Sequence, residues 1–177
     1  MDRARPIAER LAARYPLLYL ISGDTPDAVA LLRKCARGAA MVLAEPRYGR
    51  RDLVAAAADA IETLVESPDR TLLLLPLGHR LLAAAPFVQL LCEHLHTLEK
   101  LGHTVLLLAA HDVPSAELDR DRVVLYLPLP GSDELRPLVA AAFTPSARAE
   151  ADPEQVERAL EAAKGMTTVQ LRRALRR

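Results

Sequence analysis

Short continuous apolar runs alternate with longer stretches of helical spacing over the first 127 residues. Residues 17–22 (LLYLIS) read as a buried strand, and 40–44 (AMVLA) as a short one. Residues 71–75 (TLLLL) and 104–109 (TVLLLA) are apolar at every step, the pattern of strands covered on both faces of a parallel sheet. Residues 123–127 (VVLYL) form a fifth such run.

The intervening segments carry helix signals. A short helix over 7–14 must stop before Tyr15-Pro16, because the residue preceding proline is pushed out of the helical region. Thr25-Pro26-Asp27 predicts a helix start, with Thr25 as cap, Pro26 in the first turn and Asp27 against the dipole; Gly38 ends that helix. Residues 51–66 place Leu53, Val54, Ala57, Ile61, Leu64 and Val65 at helical spacing, and Ser67-Pro68-Asp69 breaks the run. Residues 86–101 carry the stripe Phe87, Leu90, Leu91, Leu95 and Leu98 before Gly102, and 113–119 read as a helical turn or two. After Pro128-Leu129-Pro130-Gly131 the strand pattern ends. Helices follow at 133–143, 153–164 (capped by Asp152) and 167–176 (capped by Thr167). Alternating strands and helices with short connections predict an α/β fold, a five-stranded parallel sheet flanked by helices over residues 1–130. A three-helix appendage occupies 131–177.

Composition narrows the function classes. The 177 residues are 51% hydrophobic but 3% aromatic, with no tryptophan. That is a poor basis for stacking single-stranded nucleic acid. With 23 basic and 23 acidic residues the net charge is zero, so neither nucleic acid nor an anionic membrane is the expected partner. Arginines crowd both ends, RARPIAERLAAR and LRRALRR, and read as solvated helix faces. Cys35 and Cys92 sit inside helices without need of pairing, as suits a reducing compartment. No apolar run reaches the ~18 residues of a membrane span. A soluble cytoplasmic protein is expected.

Candidate chemistry centres on the turn after the first strand. A phosphate-binding loop there reads G-x-x-x-x-G-K-[ST], its amides and lysine cradling phosphates. This chain has Gly23-Asp24-Thr25-Pro26-Asp27: one glycine, no lysine and two carboxylates. Asp24 and Asp27 place negative charge where phosphate would sit. Elsewhere, Cys92 and His96 lie one helical turn apart, but no second Cys/His pair completes a zinc site, and no metal is expected. His79, His103 and His111 fall in or beside loops. A G-x-S-x-G elbow is missing, and Gly23 alone makes no dinucleotide fingerprint.

Three segments in this order resemble the AAA+ ATPase family. V-x-L-P-L-P-x-x-x-E-L (124–135) resembles the last core strand, proline link and first lid helix. Residues 71–109 have the spacing of the Walker B to sensor-1 region, and K-G-M-T-T-x-x-L (164–171) resembles the start of the last lid helix. Arg14-Tyr15-Pro16 is similar to the approach to the first strand in the inactive first AAA+-like domains of cyanobacterial and chloroplast-type AAA+ proteins. The resemblance runs from about residue 14 to 177 and implies a P-loop NTPase/AAA+-like core with a small lid.

The family's chemistry does not come with it. Walker A is missing at Gly23, Asp24, Thr25 and Asp27. Walker B needs a carboxylate at the end of the third strand, where this chain has Pro76-Leu77-Gly78. The sensor-1 place offers Ala109-Ala110 before His111-Asp112. Arg120 and Arg122, just before the fifth strand, stand where the family places an arginine finger supplied in trans, although Asp119-Arg120-Asp121-Arg122 also reads as a loop whose charges neutralise locally. Arg172 and Arg173 resemble second-sensor positions in place only.

The expectation is therefore a catalytically inactive AAA+-like domain without a cofactor. It would serve as a protein-interaction or regulatory subunit, paired with an active AAA+ ATPase or with copies of itself. One alternative is a small α/β ligand-binding enzyme with a site at the strand ends near Gly23, His79 and His111. Another is a nucleic-acid-associated adaptor using its arginine-rich terminal helices.

Overall fold

The structure, a computed structural model, describes residues 3–46, 52–143 and 152–176. It divides into two compact units, residues 2–127 and 128–177. Within the first unit the elements run α1 (Arg5–Ala12), β1 (Leu17–Ile21), α2 (Thr25–Gly38), β2 (Val42–Ala44), α3 (Leu53–Val65), β3 (Thr71–Pro76), α4 (Gly78–Leu82), α5 (Ala85–Leu101), β4 (Thr104–Ala109) and β5 (Arg122–Tyr126). The strands form one parallel sheet in the order β2-β3-β4-β1-β5, with β1 between β4 and β5.

The uninterrupted leucine runs follow from burial on both faces. Leu17, Tyr19, Leu73, Leu75, Val105 and Leu107 turn to one side, where α3, α4 and α5 supply Ile61, Leu64, Leu81, Phe87, Leu91 and Leu98. Their alternates Leu18, Leu20, Leu72, Leu74, Leu106 and Leu108 turn to the other, against Ile7 and Leu11 of α1 and Ala28, Leu32 and Ala36 of α2. Period-two alternation is present, but with no polar face to reveal it.

Several boundaries differ from expectation. α1 lies at Arg5–Ala12 rather than 7–14, and Arg14 takes a left-handed conformation (φ 58°) before Pro16. β2 keeps only Val42–Ala44, because the Met41 amide turns back to the Ala36 carbonyl after a left-handed Ala40 (φ 53°). β5 begins one residue early, at Arg122. Residues 113–119 contain a turn instead of a helix, and α4 was not expected. The predicted start of α3 at residue 51 lies outside the described residues.

The second unit contains α6 (Ser132–Phe143), α7 (Pro153–Ala163) and α8 (Thr168–Leu175). Leu135, Val139, Val156, Leu160, Ala163 and Leu171 form its own core. Asp152 caps α7, and Thr167 with Gln170 closes a capping box on α8.

Candidate functional site

The turn after β1 is closed by its own side chains. Ser22 Oγ accepts the Asp24 amide at 3.1 Å, and Asp24 Oδ1 accepts the Asp27 amide at 3.0 Å. Asp24, not Thr25, is therefore the cap of α2; Asp24 is extended (φ −132°, ψ 90°), while Thr25 is already helical. Pro26 has no amide to give. Asp27 is not a bare charge either. The Arg3 guanidinium meets its carboxylate at 2.7 and 3.4 Å, with 8% of the arginine side chain and 16% of the aspartate exposed. The expected repulsion from two aspartates is thus altered: one works as a cap and the other is neutralised by Arg3. Around Gly23 there is open space, with nothing within 4 Å of a Cβ placed there.

The end of β3 is shaped by close packing. Leu77 is left-handed (φ 58°) and exposed, and Gly78 lies so near β4 that a Cβ on it would stand 2.8 Å from Leu107 Cβ. α4 starts there, and its His79 ring lies 4.8 Å from the ring of His111, tilted by 41°. Of the three residues of the alternative strand-end site, His79 and His111 are thus brought together. His79 is pushed below the usual imidazole range by burial first, then by His111 and Arg80.

The β4–β5 connection is built around Arg122. Its side chain is 5% exposed and donates to the Val113 carbonyl at 2.7 Å. It also meets Asp112 at 3.3 Å and Asp119 at 2.8 Å. The guanidinium lies 5.1 Å from the centre of the Tyr19 ring, whose hydroxyl donates to the His111 carbonyl at 2.8 Å. Burial, with Asp112 second, raises the Tyr19 pKa against the opposing pull of Arg122. The two candidate finger arginines are separated by this geometry. Arg122 is enclosed and bonded to its own loop, whereas Arg120 is exposed.

The sequence gives Tyr19 no role, and places His103 only in or beside a loop. Tyr19 is the one polar-tipped residue in LLYLI, and that interruption was its signal. His103, 1% exposed, accepts the Thr71 amide at Nδ1 over 3.1 Å and ties the start of β3 to the end of the α5–β4 turn. Cys92 is exposed, and His96 faces Glu99 at 4.0 Å on the same helix. No group of three or more metal-ligating side chains occurs among the described residues. Nor, among them, is any helix long and apolar enough to cross a membrane.

Sheet order, the helix-capped β1 turn and the separate helical unit define an AAA+ ATPase-like domain. Residues 4–127 match the family model described as SpoVK-like AAA ATPase, N-terminal domain, and the chain belongs to that family. Among solved structures it is similar to a katanin described for its self-assembly (TM-score 0.62, 14% identity, covering 92% of this chain and 56% of that one). It is also similar to AMPPCP-bound DnaA from Aquifex aeolicus (0.60, 14% identity, 98% and 58%). A third likeness is to the E. coli MS115-1 HORMA:CdnC:Trip13 complex (0.57, 19% identity, 93% and 64%). At these identities the likeness shows the fold, and the chain spans less than two thirds of each of those chains. No curated protein sequence matches it.

Proposed function

We propose that this chain is a catalytically silent AAA+-like domain that acts as a protein-interaction or regulatory subunit beside an active AAA+ ATPase. One observation carries the reading: two amides of the β1 turn, those of Asp24 and Asp27, are spent internally. A phosphate needs several backbone donors converging at a helix start. Here the Asp24 and Asp27 amides bond Ser22 and Asp24, and Pro26 has none. The Arg3 cation beside the turn is held by Asp27. The absence of a carboxylate in Pro76-Leu77-Gly78 supports the same reading, since magnesium and the attacking water would lack an anchor.

What remains usable is surface. Arg120 is the exposed arginine before β5, and to it, rather than to Arg122, falls the part of a finger toward a neighbour's nucleotide. Titration calorimetry with magnesium-ATP tests the reading directly. The expected result is no binding heat up to millimolar nucleotide; a micromolar dissociation constant overturns it.

A further inference from the structure

Charge in the second unit is distributed unevenly. On α6, α7 and the turn after α7, each described cation has a carboxylate beside it: Arg136 with Glu157 at 2.5 Å, Arg158 with Glu154 at 3.7 Å, and Lys164 with Glu161 at 2.6 Å. On α8 the pattern stops. Arg172, Arg173 and Arg176 are exposed and form no ion pair among the described residues, and residues 165–177 contain no Asp or Glu at all. Leu171 is buried in the unit's core and Leu175 packs against it, so α8 is anchored by its apolar side.

The helix dipole accounts for part of this. Cations in a last turn are worth about 0.3–1 kcal/mol each at an exposed site, and Arg172, Arg173 and the C-cap Arg176 all lie there. The dipole favours the arginines but does not account for the lack of any carboxylate beside them, when the neighbouring helices pair theirs. Arg172 and the C-cap Arg176 are four apart and so fall on one side of the helix, with Arg173 beside Arg172. Three planar guanidinium forks so placed match carboxylates arrayed at one helical turn, which they can grip bidentately.

We propose that this face of α8 is a docking surface for an acidic protein segment. A nucleic acid is the other polyanion to weigh. The chain argues against it: net charge zero, pI about 7.0 and 3% aromatic residues give neither the broad basic footprint nor the stacking faces that nucleic-acid binding uses. A footprint of three arginines suits a short run of carboxylates. The inference rests on the reading of this chain as an interaction domain, and supplies the chemistry of the partner.

Fluorescence anisotropy of the full chain with a labelled helical peptide carrying glutamates at i, i+4 spacing tests it, beside a labelled 20-base-pair DNA duplex. The expected result is salt-sensitive peptide binding that weakens at least tenfold in Arg172→Glu/Arg173→Glu/Arg176→Glu. The matching Arg→Gln variant should lose most of the affinity, and the Arg→Lys variant only part of it. Far-ultraviolet circular dichroism checks that each variant keeps its helices, and the Arg→Gln set decides if charge reversal unfolds α8. No peptide binding by the native chain, equal binding by the Arg→Gln variant, or tighter binding of the duplex overturns the proposal. Magnesium-ATP titration of the same samples keeps the two readings apart. Nucleotide binding together with arginine-dependent peptide binding rejects the silent-ATPase reading and leaves the surface standing; the reverse pair of results does the opposite.

Discussion

The β1 turn and the β4–β5 loop are both organised by polar side chains, yet they are built from opposite materials. The turn is knit by neighbours: Ser22 bonds Asp24 and Asp24 bonds Asp27, two and three residues on, while Arg3 comes from further off. The loop is knit by strangers. Arg122 gathers Asp112, Val113 and Asp119 against a tyrosine about a hundred residues earlier, in the middle of β1. A local network stabilises one turn; a long-range one ties the sheet to its connection. Losing a central group should therefore matter far more in the loop than in the turn.

The largest expected effect comes from Arg122→Ala. It leaves Asp112, Asp119 and the Val113 carbonyl without their shared donor and removes the contact over Tyr19. Breaking a buried pair by deleting one partner costs about 3–5 kcal/mol, but both aspartates are 40–45% exposed, which moves the expectation to about 2–3 kcal/mol. Urea denaturation measures it. A change below 0.5 kcal/mol (well under the ~1 kcal/mol of a single net hydrogen bond) would show that the loop is as local as the turn.

Asp24→Ala should do less. Removing an N-cap carboxylate costs about 1 kcal/mol, within a range of 0.5–2. The same substitution returns the Asp27 amide to solvent, which sharpens the comparison with a second readout. If the closed turn is what excludes phosphate, the variant gains weak inorganic-phosphate binding by nuclear magnetic resonance titration while the native chain shows none. A stability loss equal to that of Arg122→Ala would erase the contrast.

The same division, near against far, decides what the sequence revealed. Caps at Asp152 and Thr167 were legible because their partners lie two or three residues on. The strands of the sheet's interior were legible because burial on both faces leaves no polar residue to interrupt TLLLL or TVLLLA. α4 was not: GHRLL has no period to read, and its start depends on Gly78 fitting against Leu107, nearly thirty residues on. Asp119-Arg120-Asp121-Arg122 looked like a self-neutralising loop, and half of that was right, since Asp119 does pair with Arg122. The rest, Asp112 and Tyr19, arrives only when β4 and β1 lie side by side. The cap of α2 was misplaced by one residue for a smaller reason: two capping residues in succession, Asp24 and Thr25, compete for the position, and only backbone geometry chooses.

The smallest expected effect is a dependence on pH from another long-range tie, His103. Burial lowers its pKa from 6.5, opposed in part by the Ser67 carbonyl, and its Nδ1 accepts the Thr71 amide. The folded state therefore disfavours its protonation. The unfolded chain takes up a proton below about 6.5, so the unfolded state binds more protons there and stability falls as pH drops. Above 6.5 both states are neutral and the contribution is complete. His79 acts in the same direction, its pKa likewise lowered by burial. Each histidine gives a slope of at most about 1.4 kcal/mol per pH unit. Urea midpoints at pH 7.5 and 5.5 should therefore differ by more in the native chain than in His103→Asn. That variant keeps an acceptor for the Thr71 amide and no longer titrates. An equal difference in both would mean that His103 is protonated as readily in the fold as outside it. The tie between β3 and the α5–β4 turn would then be as open to water as an exposed cap.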